Sequence, residues 1–172
     1  FLELRGSDEA AALRHVFFAE RGAGRPDFIK GVDAHELNTV GVVGGGTMGA
    51  GIAAACLNAG LPVVLVERDA DAVQRGLANI DRIFAGSVKS GRLTDEGRAQ
   101  RMQVVTATTD YEALANCSLV IEAVFEEIET KRAVFAKLDQ VCRPDAVLAT
   151  NTSYLDPRSI AQGLSNPDRF VG

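Results

Sequence analysis

The chain is poor in the residues that most often announce a specialised site. Of its 172 residues only three are cysteine and two are histidine. Cys56, Cys117 and Cys142 are odd in number, widely spaced and without any Cys-x-x-Cys pair. That pattern argues against a disulfide framework and a zinc site, and it suits reduced thiols in a cytoplasm, bacterial for preference with an organelle left open. No basic cluster interrupts a net charge of −5, so nucleic acid is not the expected partner. No apolar run approaches the length of a membrane span, and the N-terminus lacks a signal-peptide pattern. Repeats and low-complexity segments are absent too. The chain begins at Phe1 rather than Met and reads as a processed or excised piece.

What remains is ordinary globular composition, 47% apolar and 24% charged, enough for one good domain and an appendage. Residues 1–36 form the appendage. Ser7 caps a helix whose first turn carries Asp8 and Glu9, favourable at the positive end of the helix dipole. Leu13, Val16 and Phe17 give one apolar stripe with Phe18 beside it, and Gly22, Gly24 and Pro26 end the helix. So short a helix cannot bury two phenylalanines alone. It is either clamped to the following domain or the tail of an upstream one, and the second is the expectation.

From Leu37 strands and helices alternate. Val40, Val42 and Val43 read as a short buried strand, followed by Gly44, Gly46 and Gly49 in the order G-x-G-x-x-G and an Ala-rich helix over 52–59. The first glycine allows a tight turn, the second lets backbone approach a pyrophosphate, and the third permits close helix–strand packing. Residues 62–67 form the next strand and end in Glu67, about twenty residues past the glycines, where a ribose-binding carboxylate is expected. Val73, Leu77, Ile80, Phe84 and Val88 make a long amphipathic helix over 71–90 with Gly91 closing it. Thr94 opens a short helix, and 104–106, 119–124 and 146–149 read as further strands. A helix carrying Ile128, Phe135, Leu138 and Val141 lies between the last two. This alternation predicts an α/β, doubly wound, mostly parallel Rossmann sheet over 37–172, preceded by the N-terminal linker helix.

The candidate site follows from that order. Glu67 at its strand end can accept from both ribose hydroxyls and would repel a 2′-phosphate, which points to NAD over NADP. Arg68 pulls the other way, and a solvated loop acid is the bland alternative. Thr47 and Met48 stand at the helix start, where backbone N–H groups face the pyrophosphate; Met48 is as well suited to a core. Glu126 and Lys131 follow the strand 119–124 at the carboxyl edge of the sheet, though alone they read as an acidic helix start and a surface lysine. Asn151, Thr152 and Ser153 leave the last strand at the same edge, or else cap a helix before Pro157. His15 and His35 both precede the first strand, so neither supplies the general base a dehydrogenase needs near its nicotinamide.

Taken together, residues 42–52, 120–126, Lys131 with Val134, Phe135 and Leu138, and Asn151-Thr-Ser-Tyr-Leu155 resemble the NAD-binding domain of the L-3-hydroxyacyl-CoA dehydrogenases, above all the version in multifunctional fatty-acid β-oxidation enzymes. The resemblance spans 37–172. It implies that Met48 and Glu67 contact the adenosine and pyrophosphate half of NAD. It implies further that Val124, Phe125, Glu126 and Lys131 line the ribose–nicotinamide side, with Asn151 nearby. Ser153 would sit between the nicotinamide and the 3-oxygen of an acyl-CoA substrate. The implied reaction oxidises (S)-3-hydroxyacyl-CoA to 3-oxoacyl-CoA. The catalytic His, its Glu partner and a helical domain carrying the dimer contact would follow Gly172, so this piece alone is expected to be inactive. Residues 12–20 resemble the linker helix after an enoyl-CoA hydratase domain. Ser118 stands where relatives usually have Asp. Lys89 and Arg92 are candidates for the CoA phosphates. A related β-hydroxyacid dehydrogenase, or a non-enzymatic, crystallin-like use of the fold, are the rival readings.

Overall fold

Runs of valine and leucine make the sheet. The computed structural model describes residues 2–24 and 29–172, and Pro26, expected to help end the first helix, lies outside them. The chain divides into two units, residues 1–35 and 36–172.

In the first unit, α1 (Leu2–Arg5) precedes α2 (Asp8–Ala23). Ser7 caps α2 as expected, its hydroxyl accepting the Ala10 N–H at 3.3 Å. Phe17 and Phe18 meet edge to face, and the Arg21 guanidinium lies 4.1 Å from the Phe17 ring centre. No residue of α2 is buried, and Leu13, Val16, Phe17 and Phe18 are all exposed.

The second unit carries six strands: β1 (Val40–Val43), β2 (Val63–Val66), β3 (Val105–Thr108), β4 (Leu119–Glu122), β5 (Val147–Thr150) and β6 (Phe170–Val171). Every pairing is parallel, in the order β3-β2-β1-β4-β5-β6. This is the order of the doubly wound dinucleotide-binding sheet, with its topological switch between β1 and β4. Between the strands run α3 (Thr47–Asn58), α4 (Ala70–Lys89), α5 (Asp95–Gln103), α6 (Ile128–Val141) and the single turn α7 (Pro157–Ile160). One face of the sheet packs Leu57, Ile80 and Phe84 of α3 and α4 against Val42, Val63 and Leu65. The other packs Val134, Phe135 and Leu138 of α6 against Val120 and Leu148. Both faces being covered, β1 and β2 are apolar throughout and β4 is apolar up to Glu122; β1 is buried at all four positions.

Strand boundaries differ from the sequence reading for local reasons. Strand β3 starts at Val105 because Val104 still closes α5, its N–H bonding to the carbonyls of Arg101 and Met102. Strand β4 stops at Glu122 rather than Val124 because the Val124 N–H turns back onto the Glu122 carboxylate at 2.7 Å. Helix α3 begins at Thr47, at the helix start expected of Thr47 and Met48, with the Ala50 N–H bonded to the Gly46 carbonyl. The N-cap of α7 is Asp156, so capping is not the role of Asn151 to Ser153. Cys117 and Cys142 are free thiols in the core, and burial pushes both up to about 11.

At the far edge Arg169 is buried and clamps the end of α6. Its guanidinium donates to the Asp139 carboxylate at 2.7 Å and to the carbonyls of Asp139 and Arg143. Burial would raise the Asp139 carboxyl, but the Ser165 N–H and hydroxyl together with Arg169 outweigh it and hold it below the usual range.

Candidate functional site

The carboxyl ends of β1, β2 and β4 open onto a crevice of about 850 Å³. Its floor is the turn between β1 and α3. Gly44 takes φ +97°, a backbone region that side chains rarely adopt, and a Cβ there would also lie 2.7 Å from the Ala123 carbonyl oxygen. Gly49 is buried so tightly that a Cβ would overlap the Gly44 carbonyl oxygen. The middle glycine is the opposite case: a Cβ on Gly46 would meet nothing within 4 Å. The turn is closed from behind and open in front, and Gly46, Thr47 and Met48 present the first turn of α3 to the crevice. Unpaired N–H groups at a helix start, with the dipole behind them, suit a pyrophosphate.

The turn is held in place by two side chains. Glu67, at the end of β2, accepts the Gly45 N–H at 2.7 Å and the Arg68 N–H at 3.1 Å. Asn79 of α4 donates to the Gly45 carbonyl at 3.0 Å. A carboxylate offers about four acceptor positions, so Glu67 retains roughly two for hydroxyl groups in the crevice. Arg68, Arg75 and Arg82 line the same end, Arg68 with its guanidinium on Asp69. Of these residues the sequence reading named only Glu67 and Arg68. Arg75, Asn79 and Arg82 were missed, because the apolar stripe of α4 shows which side faces the core but not which flank faces a ligand.

The opposite end is lined by Val124, Phe125, Glu126, Thr130 and Asn151. Phe125 is almost fully exposed, at 80% of its accessible area. The Glu126 carboxylate accepts from the Thr152 hydroxyl, the Ser153 N–H and the Lys131 ammonium, the last at 3.1 Å. The Thr152 hydroxyl leads those contacts in holding the Glu126 carboxyl below the usual carboxylate range. Since its folded value is lowered, the stability Glu126 contributes is present above about pH 4.3, its unfolded value. It is lost as pH falls through the lower folded value. The melting-temperature difference between wild type and Glu126→Gln is therefore expected to be flat from neutrality to about pH 5 and to shrink below about pH 4; a difference that grows on acidification would contradict the assignment.

Lys131 reaches the crevice wall from behind, its ammonium 3.1 Å from the Glu126 carboxylate. It is wholly buried, with its ammonium also on both oxygens of Glu122 at 2.8 and 2.9 Å. The sequence reading did not single out Glu122, which lies inside the strand it placed at 119–124 and ends β4. Ser153 is exposed and reaches the site through its backbone N–H on Glu126. Lys89 is exposed in the last turn of α4, and Arg92 donates to the Ser90 hydroxyl. A second cavity of about 570 Å³, by Pro157, Gln162 and Phe170, shares no lining residue with the crevice. Among the described residues no helix is long and apolar enough to cross a membrane, and no group of three or more His, Cys, Asp or Glu is arranged to hold a metal.

Comparison with known proteins agrees with this geometry. Residues 39–172 match the family described as 3-hydroxyacyl-CoA dehydrogenase, NAD binding domain. The whole chain is 38% identical to the peroxisomal bifunctional enzyme of Homo sapiens and 37% identical to the peroxisomal fatty acid beta-oxidation multifunctional protein of Oryza sativa, covering 24% of each. The chain thus spans about a quarter of the length of these relatives. The crystal structure of 3-hydroxybutyryl-CoA dehydrogenase from Escherichia coli K12 superposes with a TM-score of 0.74 at 40% identity, over 78% of this chain and 29% of that one.

Proposed function

The chain belongs to the family of 3-hydroxyacyl-CoA dehydrogenase NAD-binding domains, and from that premise we propose that it serves a longer β-oxidation enzyme oxidising (S)-3-hydroxyacyl-CoA to 3-oxoacyl-CoA. The observation that carries the reading is the open turn at Gly46 set between Glu67 and Glu126 in one crevice. NAD, when bound, supplies the two-electron acceptor. Gly44, Gly46, Thr47, Met48 and Gly49 shape the seat of its pyrophosphate, and Glu67 takes the adenosine ribose hydroxyls. Val124, Phe125, Glu126 and Asn151 form the wall toward the nicotinamide. Ser153 positions the substrate oxygen, an electrostatic and orienting role rather than a nucleophilic one.

Residues 36–172 contain no histidine, the commonest general base, and we place the proton acceptor in sequence outside this unit. We assign it, with its Glu partner and a helical acyl-CoA-binding domain, to the segment of the parent that follows Gly172. Residues 1–36 we assign to the tail of an upstream hydratase-like domain; relatives of which this chain covers only 24% support that. The parent is a homodimer or larger complex, in a compartment that keeps thiols reduced, either a cytoplasm or a peroxisome. Three unpaired cysteines and relatives named as peroxisomal support this.

The test is a paired assay with (S)-3-hydroxybutyryl-CoA and NAD⁺. The parent protein is expected to form NADH and the 172-residue chain to form none. Oxidation by the chain alone would contradict the placement of the base, and an inert parent would contradict the activity.

A further inference from the structure

Asparagine is a poor residue for the middle of a helix, because its amide competes for backbone hydrogen bonds, yet Asn79 stands halfway along α4 and is half-buried. Its role follows from how closely α4 approaches the turn after β1. A Cβ on Gly45 would lie 2.8 Å from the Gly76 Cα, and a Cβ on Gly76 would lie 2.8 Å from the Leu65 side chain. Helix and turn therefore meet backbone to backbone. Asn79, three residues beyond Gly76 and so on the same face, reaches the Gly45 carbonyl and donates to it at 3.0 Å. The amide oxygen of Asn79 accepts from the Arg82 guanidinium at 2.8 Å. A guanidinium only donates and a carbonyl only accepts, so the two neighbours fix the amide one way round.

The Gly45 carbonyl shares a planar trans peptide with the Gly46 N–H, and in such a unit the two point in opposite directions. A carbonyl drawn toward α4 thus turns the Gly46 N–H away from α4. Gly46 is an exposed residue of the turn; it lines the crevice, and a Cβ on it would meet nothing within 4 Å. The Gly45 N–H, belonging to the preceding peptide, is held by Glu67 at 2.7 Å. Both peptide planes that meet at Gly45 are therefore set by side chains. We infer that Asn79 is a positioning residue for the pyrophosphate: oriented by Arg82, it acts through the Gly45–Gly46 peptide to aim the Gly46 N–H into the crevice. The inference rests on the NAD reading above, and it adds to that reading a determinant of phosphate binding carried by α4.

Ligands with and without a pyrophosphate separate this role from a purely structural one. Asn79→Leu keeps the size of the side chain, adds no charge and suits a helix better, but it leaves the Gly45 carbonyl without its donor. NADH and ADP-ribose both carry the pyrophosphate; adenosine carries the same base and ribose without it. In the 172-residue chain the variant is expected to bind NADH and ADP-ribose each about tenfold more weakly, while adenosine, measured by displacement of NADH fluorescence, stays within about twofold of wild type. Equal losses for all three ligands, or no loss for any, would mean that Asn79 only supports the fold, and either result would overturn the proposal. In wild type the Gly46 amide proton is expected to move downfield when ADP-ribose binds, as an N–H does when an anion accepts from it, and to stay near its free position in Asn79→Leu. A Gly46 amide that does not move in wild type would overturn the proposal as well. Should Asn79→Leu fail to fold, Asn79→Ala decides the question, since water can then reach the Gly45 carbonyl. It is expected to show the same split, and wild-type NADH affinity in it would equally overturn the proposal. If wild type bound none of the three ligands, it is the cofactor reading that would fail.

Discussion

Gly49→Ala is expected to weaken NADH binding by about a hundredfold, roughly 2.7 kcal/mol, while leaving the sheet intact. The methyl group has nowhere to go. It would overlap the Gly44 carbonyl oxygen, which is backbone, and its next neighbour is the Ala123 methyl. Gly44 cannot yield easily, because its positive φ and its N–H bond to the Val66 carbonyl at 2.9 Å fix it between β1 and β2. The strain must therefore push the first turn of α3 outward, and that turn presents to the crevice the N–H groups proposed to meet the pyrophosphate. Charge-assisted hydrogen bonds of this kind are worth about 2 kcal/mol each, so losing good geometry at one or two of them accounts for the whole effect. Overpacking should lower stability by about 2 kcal/mol as well. Fluorescence titration with NADH, beside a thermal melt showing a folded variant, checks it. Near-normal affinity would mean that the turn does not seat the phosphates.

Glu67→Ala is expected to act on selectivity as much as affinity. Two of the acceptor positions of Glu67 are taken by the N–H groups of Gly45 and Arg68. The remainder face a crevice end lined by Arg68, Arg75 and Arg82. The carboxylate is thus a local negative charge beside three guanidinium groups, of which Arg68 is already paired with Asp69, and a 2′-phosphate there is repelled by Glu67 and attracted by Arg75 and Arg82. Removing it should cost NADH about twentyfold, near 1.8 kcal/mol. NADPH should bind more tightly than to wild type, so the preference between the two narrows by about a hundredfold. Parallel titrations with both cofactors read this directly. An unchanged ratio would return Glu67 to the status of a turn-bracing acid, a role its bond to Gly45 already gives it.

Much of this was legible in the chain because the physics is local. A glycine required by its backbone angle, a strand buried on both faces and an acid at a strand end each leave a mark within a few residues. Thr94 and Ser7 as caps, and the apolar stripe of α4, were readable for the same reason. Glu122 and Lys131 were not, since nothing in Ile-Glu-Ala or Thr-Lys-Arg distinguishes a buried charge from a solvated one. Only the parallel pairing of β4 with β5, with α6 packed across them, brings Glu122, Thr150 and Lys131 together. Arg75, Asn79 and Arg82 were hidden differently: they occupy the polar side of an amphipathic helix, where most residues meet only water. The ends of β3 and β4 moved because backbone groups found partners other than the ladder, one in a helix cap and one in a carboxylate.

The central claim is that the crevice over Gly44 to Gly49 is an NAD site guarded by Glu67. Calorimetric titration of the 172-residue chain with NADH and then NADPH tests it most directly. Saturable binding of one NADH per chain is expected, with NADPH at least about tenfold weaker. Binding of neither, or a preference for NADPH, would contradict it.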